Sequence, residues 1–365
     1  MNPFQQKHFF QILQLWEKES TPLDVWVKKY FTSHHCLGSK DRKSLREALF
    51  SFIRFHCSLE HLYPGSSWEK KWEIFQETSW KEGLLPHLYL GFPEWLYKKW
   101  VKQYGEEKTQ EFCKILQEKA PICVRVNPTK ISREKLVETL SAQNHQVFVG
   151  KESPLAIYFA NRVHFSSLKE FQEGLFDVQD ESSQRASLFL GAKPGENILD
   201  FCAGSGGKSL AIAPYLQQKG KIYLHDKRRP ILKEAFSRAK RLGLSGFSLL
   251  SSKNKKNFFD KLLLDVPCSG TGTLRRNPDQ KERISLEVLK KLQKKQQDIF
   301  SESFCYVKPG GYIYYMTCSL LHEENEEQVN FFLENFPVQL KEKHTWFPVS
   351  YGGDGFFVAK FQREQ

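Results

Sequence analysis

The chain has 365 residues, of which 40% are hydrophobic and 26% charged, and it carries a formal net charge of +12. The length predicts two or three domains rather than one. The composition is globular, and no apolar run approaches the ~20 residues that span a bilayer, which argues against a membrane protein.

The N-terminal stretch MNPFQQKHFFQILQLWEKES lacks the basic start, apolar stretch and small-residue cleavage site of a signal peptide, so a cytoplasmic location is expected. The first ~90 residues have the apolar spacing of helices. In SKDRKSLREALFSFIRF (39–55), Leu45, Leu49, Phe52 and Ile53 recur at helical intervals, with Ser39 as the expected cap. FPEWLYKKWVKQYG (92–105) reads as a helix with Pro93 in its first turn and Gly105 at its end. The pattern then changes. ICVRVNPT (122–129), HQVFVG and LAIYFA are strand-like and SREKLVETLSAQ (132–143) is helical, which makes a small mixed unit.

From about 176 the order strand–helix repeats. NILD (197–200), KIYLHD (221–226), GFSLLS (246–251), KLLLDV (261–266) and YIYYMT (312–317) are apolar β-rich runs, with amphipathic helices between most of them. Such alternation predicts an α/β fold with a parallel sheet covered on both faces. GGDGFFVAKFQ (352–362) adds an antiparallel-looking terminal strand. The predicted domains are therefore 1–90, helical; 91–175, small and mixed; and 176–365, α/β.

Charge and cysteines narrow the chemistry. Residues 221–295 hold 20 Lys and Arg against 7 Asp and Glu, so the rest of the chain is close to neutral. A solvated lysine-rich helix face accounts for part of this. A surplus so confined points to a polyanion, nucleic acid first. Eight cysteines are present (36, 57, 113, 123, 202, 268, 305 and 318) and none lies in a CxxC pair, so no metal site is expected.

GENILDFCAGSGGKSLAIA (195–213) is a strand, a glycine-rich turn and a helix. A dinucleotide site of the form GxGxxG fails at Ser209, and a phosphate-binding P-loop fails at Cys202, where its first glycine belongs. S-adenosylmethionine, which needs close backbone approach and an acidic ribose partner, remains. Asp226 lies where that carboxylate is expected, although it could equally be a turn former before Lys227.

DVPCSGTG (265–272) and TCS (317–319) each follow a buried strand, and these strands are joined by one crossover helix. Cys268 and Cys318 are thus expected at neighbouring strand ends, where ligands of open α/β sheets bind. Two buried cysteines without a role fit the spacing as well. The chemistry separates the readings: carbon-5 of cytosine attacks a sulfonium methyl only after a thiolate has added at carbon-6. One cysteine would attack, a second would assist release, and Asp265 would hydrogen-bond or protonate the ring nitrogen.

The set DFCAGSGGK, DVPCSGTG with LRRNPD, and TCSLLHEENEEQV, together with VRVNPTK, VQDESSQ and DGFFVAK, resembles the bacterial Sun/Fmu-type ribosomal RNA cytosine-C5 methyltransferases from about residue 39 to 361. The resemblance implies a Rossmann-like S-adenosylmethionine-dependent core, preceded by a small α+β RNA-recognition subdomain and a helical NusB-like domain. It implies Cys318 as nucleophile and Cys268 as the residue aiding release, with Asp265 at the target base. Cys202, Ala203, Gly204, Gly206 and Lys208 would line the cofactor loop and Asp226 would hold the ribose. Lys208 and Asp265 count in both the catalytic and the cofactor set. Arg125, Asn127, Arg275 and Arg276 would lie on the RNA side. Three features depart from the family: SSKNKKN (251–257) lacks the usual carboxylate after the third strand, Gly204-Ser205 replaces Ala-Pro, and the helical region is short. A monomer acting on small-subunit ribosomal RNA is expected. The competing readings are a transfer RNA methyltransferase with the same motifs, or a non-catalytic RNA-binding assembly factor.

Overall fold

The computed structural model describes residues 1–19, 21–77, 79–251 and 256–365. Contacts divide the chain into two compact units, one of residues 1–119 and 273–285, the other of 120–272 and 286–365.

The first unit is helical. Among its helices are Pro3–Trp16, Leu23–Ser33, Ser39–Ile53, Trp68–Gln76, Glu94–Tyr104 and Glu106–Leu116. Their apolar faces meet in a core that includes Phe9, Leu13, Val27, Leu49, Phe52 and Trp68. Ser39 is the first helical residue rather than the cap: Gly38 takes that place, and its N–H donates to Asp41 Oδ2 at 3.2 Å. Pro93 likewise caps its helix from outside. The segment 273–285 is bound by polar contacts within this unit. Asp279 Oδ2 accepts the Leu23 N–H (3.1 Å), and the Arg54 guanidinium donates to the Arg275 carbonyl (2.9 Å). Lys281, 1% exposed, donates to the Arg54 carbonyl.

The second unit contains two sheets. Strands β1 (Ile122–Val126), β2 (Val147–Val149), β3 (Ala156–Phe159) and β4 (Phe176–Val178) form an antiparallel sheet in the order β2-β3-β1-β4. Helix Arg133–Ala142, capped by Ser132, buries Leu136 and Leu140 in a core with Val124, Val126, Ile157 and Phe159.

The seven-stranded sheet comprises β5 (Asn197–Asp200), β6 (Lys221–Leu224), β7 (Phe247–Leu249), β8 (Phe259–Asp265), β9 (Val307–Thr317), β10 (Val338–Trp346) and β11 (Phe356–Arg363). Its order is β10-β11-β9-β8-β5-β6-β7, parallel from β7 to β9 and antiparallel through β11 and β10. The apolar runs of β5, β8 and β9 bury both faces, as parallel strands covered by helices must. β5 and β8 are neighbours from which the chain winds in opposite directions, which opens a crevice beyond their carboxyl ends.

Close backbone approach locks the loop after β8 to the one before β11. Gly355 N–H donates to Gly272 O (2.9 Å), and Gly272 N–H donates to Cys318 O (2.9 Å). A Cβ on Gly272 would lie 2.4 Å from Gly355 O. Gly272→Ala is therefore expected to lower unfolding free energy by about 1–3 kcal/mol, the usual cost of forcing extra volume into a packed site. Denaturant titration checks this, and an unchanged midpoint would mean that the two loops part freely.

Candidate active site

β5 ends at Asp200, and the chain turns through 201–206 into helix Gly207–Ile212. Gly206 N–H donates to Ala203 O (2.8 Å), and Ala203 N–H reaches His225 O (2.9 Å) just beyond β6. Gly204 has φ +52° and Gly206 has φ +82°, and a Cβ on Gly206 would sit 2.8 Å from Ala235 Cβ. Conformation and space both require glycine at 206. Asp226 closes the turn: Oδ2 accepts the Gly204 N–H (2.9 Å) and Oδ1 the Arg228 N–H (2.8 Å). Burial alone would raise its carboxyl, but the Arg228 and Gly204 hydrogen bonds outweigh that and hold it below the ordinary range.

Under the turn lies Asp200, 1% exposed. Its Oδ2 accepts the Ser209 hydroxyl at 2.6 Å, while Oδ1 has no protein partner. Burial pushes its carboxyl up to about 7, and the nearby Asp265 charge acts in the same direction.

The two cysteines meet. Cys268 Sγ and Cys318 Sγ are 3.4 Å apart, and both are free thiols. The hydrogen bond to Cys318, burial, and the charges of Cys318 and Glu324 all push the Cys268 thiol well above its usual range. The loops carrying these sulfurs rest on a buried polar network. Glu324 Oε1 accepts the Ser269 N–H (2.9 Å) and the Gln296 amide (3.0 Å), and its Oε2 accepts the Ser269 hydroxyl (2.5 Å). Thr271 Oγ1 accepts the Leu320 N–H (2.8 Å), and Asn325 donates to Ser319 O (2.9 Å). Burial raises the Glu324 carboxyl despite these donors. At the end of β8, Lys208 Nζ pairs with Asp265 Oδ2 at 2.5 Å and lies 4.9 Å from the Phe356 ring. The Asp265 side chain remains 35% exposed to the crevice.

The structure thus brings Cys268, Cys318, Asp265, Lys208, the 202–206 turn and Asp226 to the carboxyl ends of β5, β6, β8 and β9. The Cys202 thiol is pushed up by burial and by three nearby aspartates, so this residue contributes backbone rather than reactivity. The four residues expected on the RNA side are placed differently. Arg125, 3% exposed, donates to Gln179 Oε1 and to Gly207 O (3.0 Å). Asn127, 4% exposed, donates to Gly174 O (2.9 Å) and Leu242 O (2.8 Å). Arg275 is 1% exposed and Arg276 half-buried in the segment 273–285 of the first unit. For Arg125, Asn127 and Arg275, surface contact with a polyanion is replaced by burial with protein partners. The stretch 252–255, where the usual carboxylate is missing, lies outside the described residues. Sequence reasoning missed Asp200 and Glu324. The second was signalled by the acidic run that begins four residues after TCS. Among the described residues no group of three or more His, Cys, Asp or Glu is arranged to hold a metal, and no helix is long and apolar enough to cross a membrane.

Comparison with known proteins agrees with this geometry. The profile described as "16S rRNA methyltransferase RsmB/F" matches residues 187–362, and that of a "Methyltr_RsmF/B-like, ferredoxin-like domain" matches 92–166. A protein of Synechocystis sp. named probable ribosomal RNA small subunit methyltransferase B is 30% identical over 297 residues, 74% of this chain and 67% of its own length. The chain belongs to the 16S rRNA methyltransferase RsmB/F family. It spans about two thirds of the length of the curated relatives it matches. A solved methyltransferase homolog protein from Pyrococcus horikoshii superposes with a TM-score of 0.66 and 28% identity, over 76% of this chain and 97% of that one. The structure titled PH0851 shares the fold with a TM-score of 0.82 and 22% identity, over 100% of this chain and 99% of that one.

The methyl donor of this family is S-adenosyl-L-methionine, and the turn fits it. The glycines leave room for close backbone approach, and the Asp226 carboxylate accepts the Gly204 and Arg228 N–H groups together with two bonds from the exposed Arg228 guanidinium, the donor that ribose hydroxyls would displace.

Asp200 generates a prediction with a defined sign. Its folded-state pKa of about 7 lies above the unfolded value, so the native state holds the proton more tightly. This site's contribution to stability therefore falls as pH rises from about 4 to about 7 and is constant above. Asp200→Asn removes that slope. Denaturant unfolding at pH 5 and pH 8 should show the variant gaining on the wild type at the higher pH; a pH-independent difference would contradict the shift.

Proposed function

We propose that this chain methylates carbon-5 of a cytosine in small-subunit ribosomal RNA through a covalent adduct on Cys318. The observation that carries the reading is the 3.4 Å contact between Cys318 and Cys268 in a crevice that also holds the cofactor turn. Two sulfurs this close cannot both be charged, and Cys268 is the one held protonated by its surroundings. It can donate to Cys318 Sγ, which leaves Cys318 as the nucleophile.

Bound S-adenosyl-L-methionine supplies an electrophilic methyl group. The protein's part is to make carbon-5 nucleophilic. Cys318 Sγ bonds to carbon-6 of an unpaired or flipped-out cytosine, and the ring electrons move towards nitrogen-3. Asp265, paired with Lys208, accepts a hydrogen bond from the exocyclic amine of the base, and the Lys208 ammonium offsets the charge that develops on the ring. Once carbon-5 carries the methyl group, its proton passes to a general base, the carbon–hydrogen electrons close the 5,6-double bond, and the carbon-6–sulfur pair leaves with Cys318 Sγ. Cys268, in contact with that sulfur, assists the release. The family assignment supports the 16S substrate, and the surplus of Lys and Arg in 221–295 supports a polyanionic one.

The two sulfurs predict opposite phenotypes. With methyl donor and 16S RNA, Cys268→Ala is expected to accumulate a covalent protein–RNA band on denaturing gels. Cys318→Ala should give neither band nor 5-methylcytosine. Exchange of the two phenotypes would reverse the roles, and turnover by Cys318→Ala would remove the covalent route.

A further inference from the structure

The turn Cys202–Gly206 contains Gly204 and Ser205 in succession, a run with large conformational freedom when unbound. Yet it is held from below. Arg238, on helix Leu232–Leu242, donates through Nη1 to both Ser205 O (2.9 Å) and Ser205 Oγ (2.8 Å). Its Nη2 reaches Asp177 Oδ2 at 2.7 Å. Asp177 sits on β4 with its side chain 4% exposed, and its Oδ1 accepts Arg241 Nη2 at 2.6 Å. Arg125, on β1, lies 3.9 Å from Asp177 Oδ2 and donates to Gly207 O at 3.0 Å. One buried carboxylate therefore orients three guanidiniums, and two of these grip carbonyls on either side of Gly206.

Peptide units are planar, so fixing the carbonyls of 205 and 207 also fixes where the next N–H groups point. Charge-assisted contacts of this kind are short and directional, and burial protects them from screening.

We infer that Arg238, oriented by Asp177, is a positioning residue for the methyl donor: it preorganises the cofactor turn that this chain builds from glycine and serine. The four-stranded sheet, through β1 and β4, thereby helps to set the affinity of a site on the seven-stranded sheet. The inference rests on the assignment of the 202–206 turn to S-adenosyl-L-methionine and not on the two-cysteine route.

The test is equilibrium binding of S-adenosylhomocysteine by calorimetry, which needs neither RNA nor Cys318 and so reads the turn even if the covalent route fails. Arg238→Ala is expected to weaken binding tenfold or more, Ser205→Ala two- to fivefold, and Arg238→Lys to recover part of the loss. Hydrogen exchange at the amides of 203–207 should quicken in Arg238→Ala without ligand, while RNA affinity stays within twofold of wild type. Ser205→Ala deletes only one acceptor oxygen, so it keeps the test valid should the arginine variant fold poorly. Wild-type affinity in both Arg238→Ala and Ser205→Ala, or a loss in Arg238→Ala that Arg238→Lys does not relieve at all, would overturn the inference.

Discussion

The site depends on one constraint, the parallel pairing of β8 with β9. Leu264 faces Tyr315 and Asp265 faces Met316, and the ladder continues to a Val266 N–H bond with Met316 O at 3.1 Å. Neighbouring strands lie ~4.8 Å apart, so two cysteines at the ends of strands that finish in step fall into contact. The cross-bond from Gly272 N–H to Cys318 O then holds one loop against the other. Proximity in turn decides protonation. Two sulfurs at this separation repel one another if both are charged. The hydrogen bond with Cys318, burial and the Glu324 charge together raise the Cys268 thiol.

Behind the two sulfurs is a shell in which buried polar atoms are largely occupied. Glu324 receives a backbone N–H, an amide and a hydroxyl, and Thr271 and Ser319 tie the loop after β8 to the loop after β9. Such bonds contribute modest net stability, yet breaking one exposes an uncompensated buried group. The loops are therefore stiff, and stiffness is useful where reacting atoms must be held within a fraction of an ångström. The cofactor turn meets the same demand with arginines on its carbonyls and the Asp226 carboxylate on its Gly204 N–H.

Sequence reading located the apolar strands well. The runs expected as strands at 197–200, 221–226, 246–251, 261–266 and 312–317 fold as strands 197–200, 221–224, 247–249, 259–265 and 307–317, because burial leaves continuous apolar runs. The β10 strand escaped it. VQLKEKHTW is polar along most of its length, as suits a strand at the sheet edge, and it takes its order from pairing with β11. The β4 strand, with three residues, is too short to show alternation. Among site residues, those at strand ends were legible because strand ends in an open sheet have one destination. Arg125, Asn127 and Arg275 were not. A basic or amide side chain in a motif reads as a surface contact, and only the fold reveals that its partners are carbonyls and carboxylates of its own chain.

Three departures from ordinary burial rules lie near the cofactor turn and the sulfurs. Asp200 keeps an oxygen without a protein partner, Glu324 is buried with a raised pKa, and Asp177 faces three arginines. Each is costly taken alone. A sequence selected for stability alone would replace such groups with apolar ones, and the core of the seven-stranded sheet shows that this chain does so elsewhere. Their place beside the cofactor turn and the sulfurs fits a site that must hold backbone and thiols still. The first unit supplies the contrast. There the buried cation Lys281 sits against a backbone carbonyl and the Phe92 ring, so its burial anchors the segment 273–285. Around the crevice, burial instead sets the protonation of Cys268 and Asp200, and with it the chemistry available there.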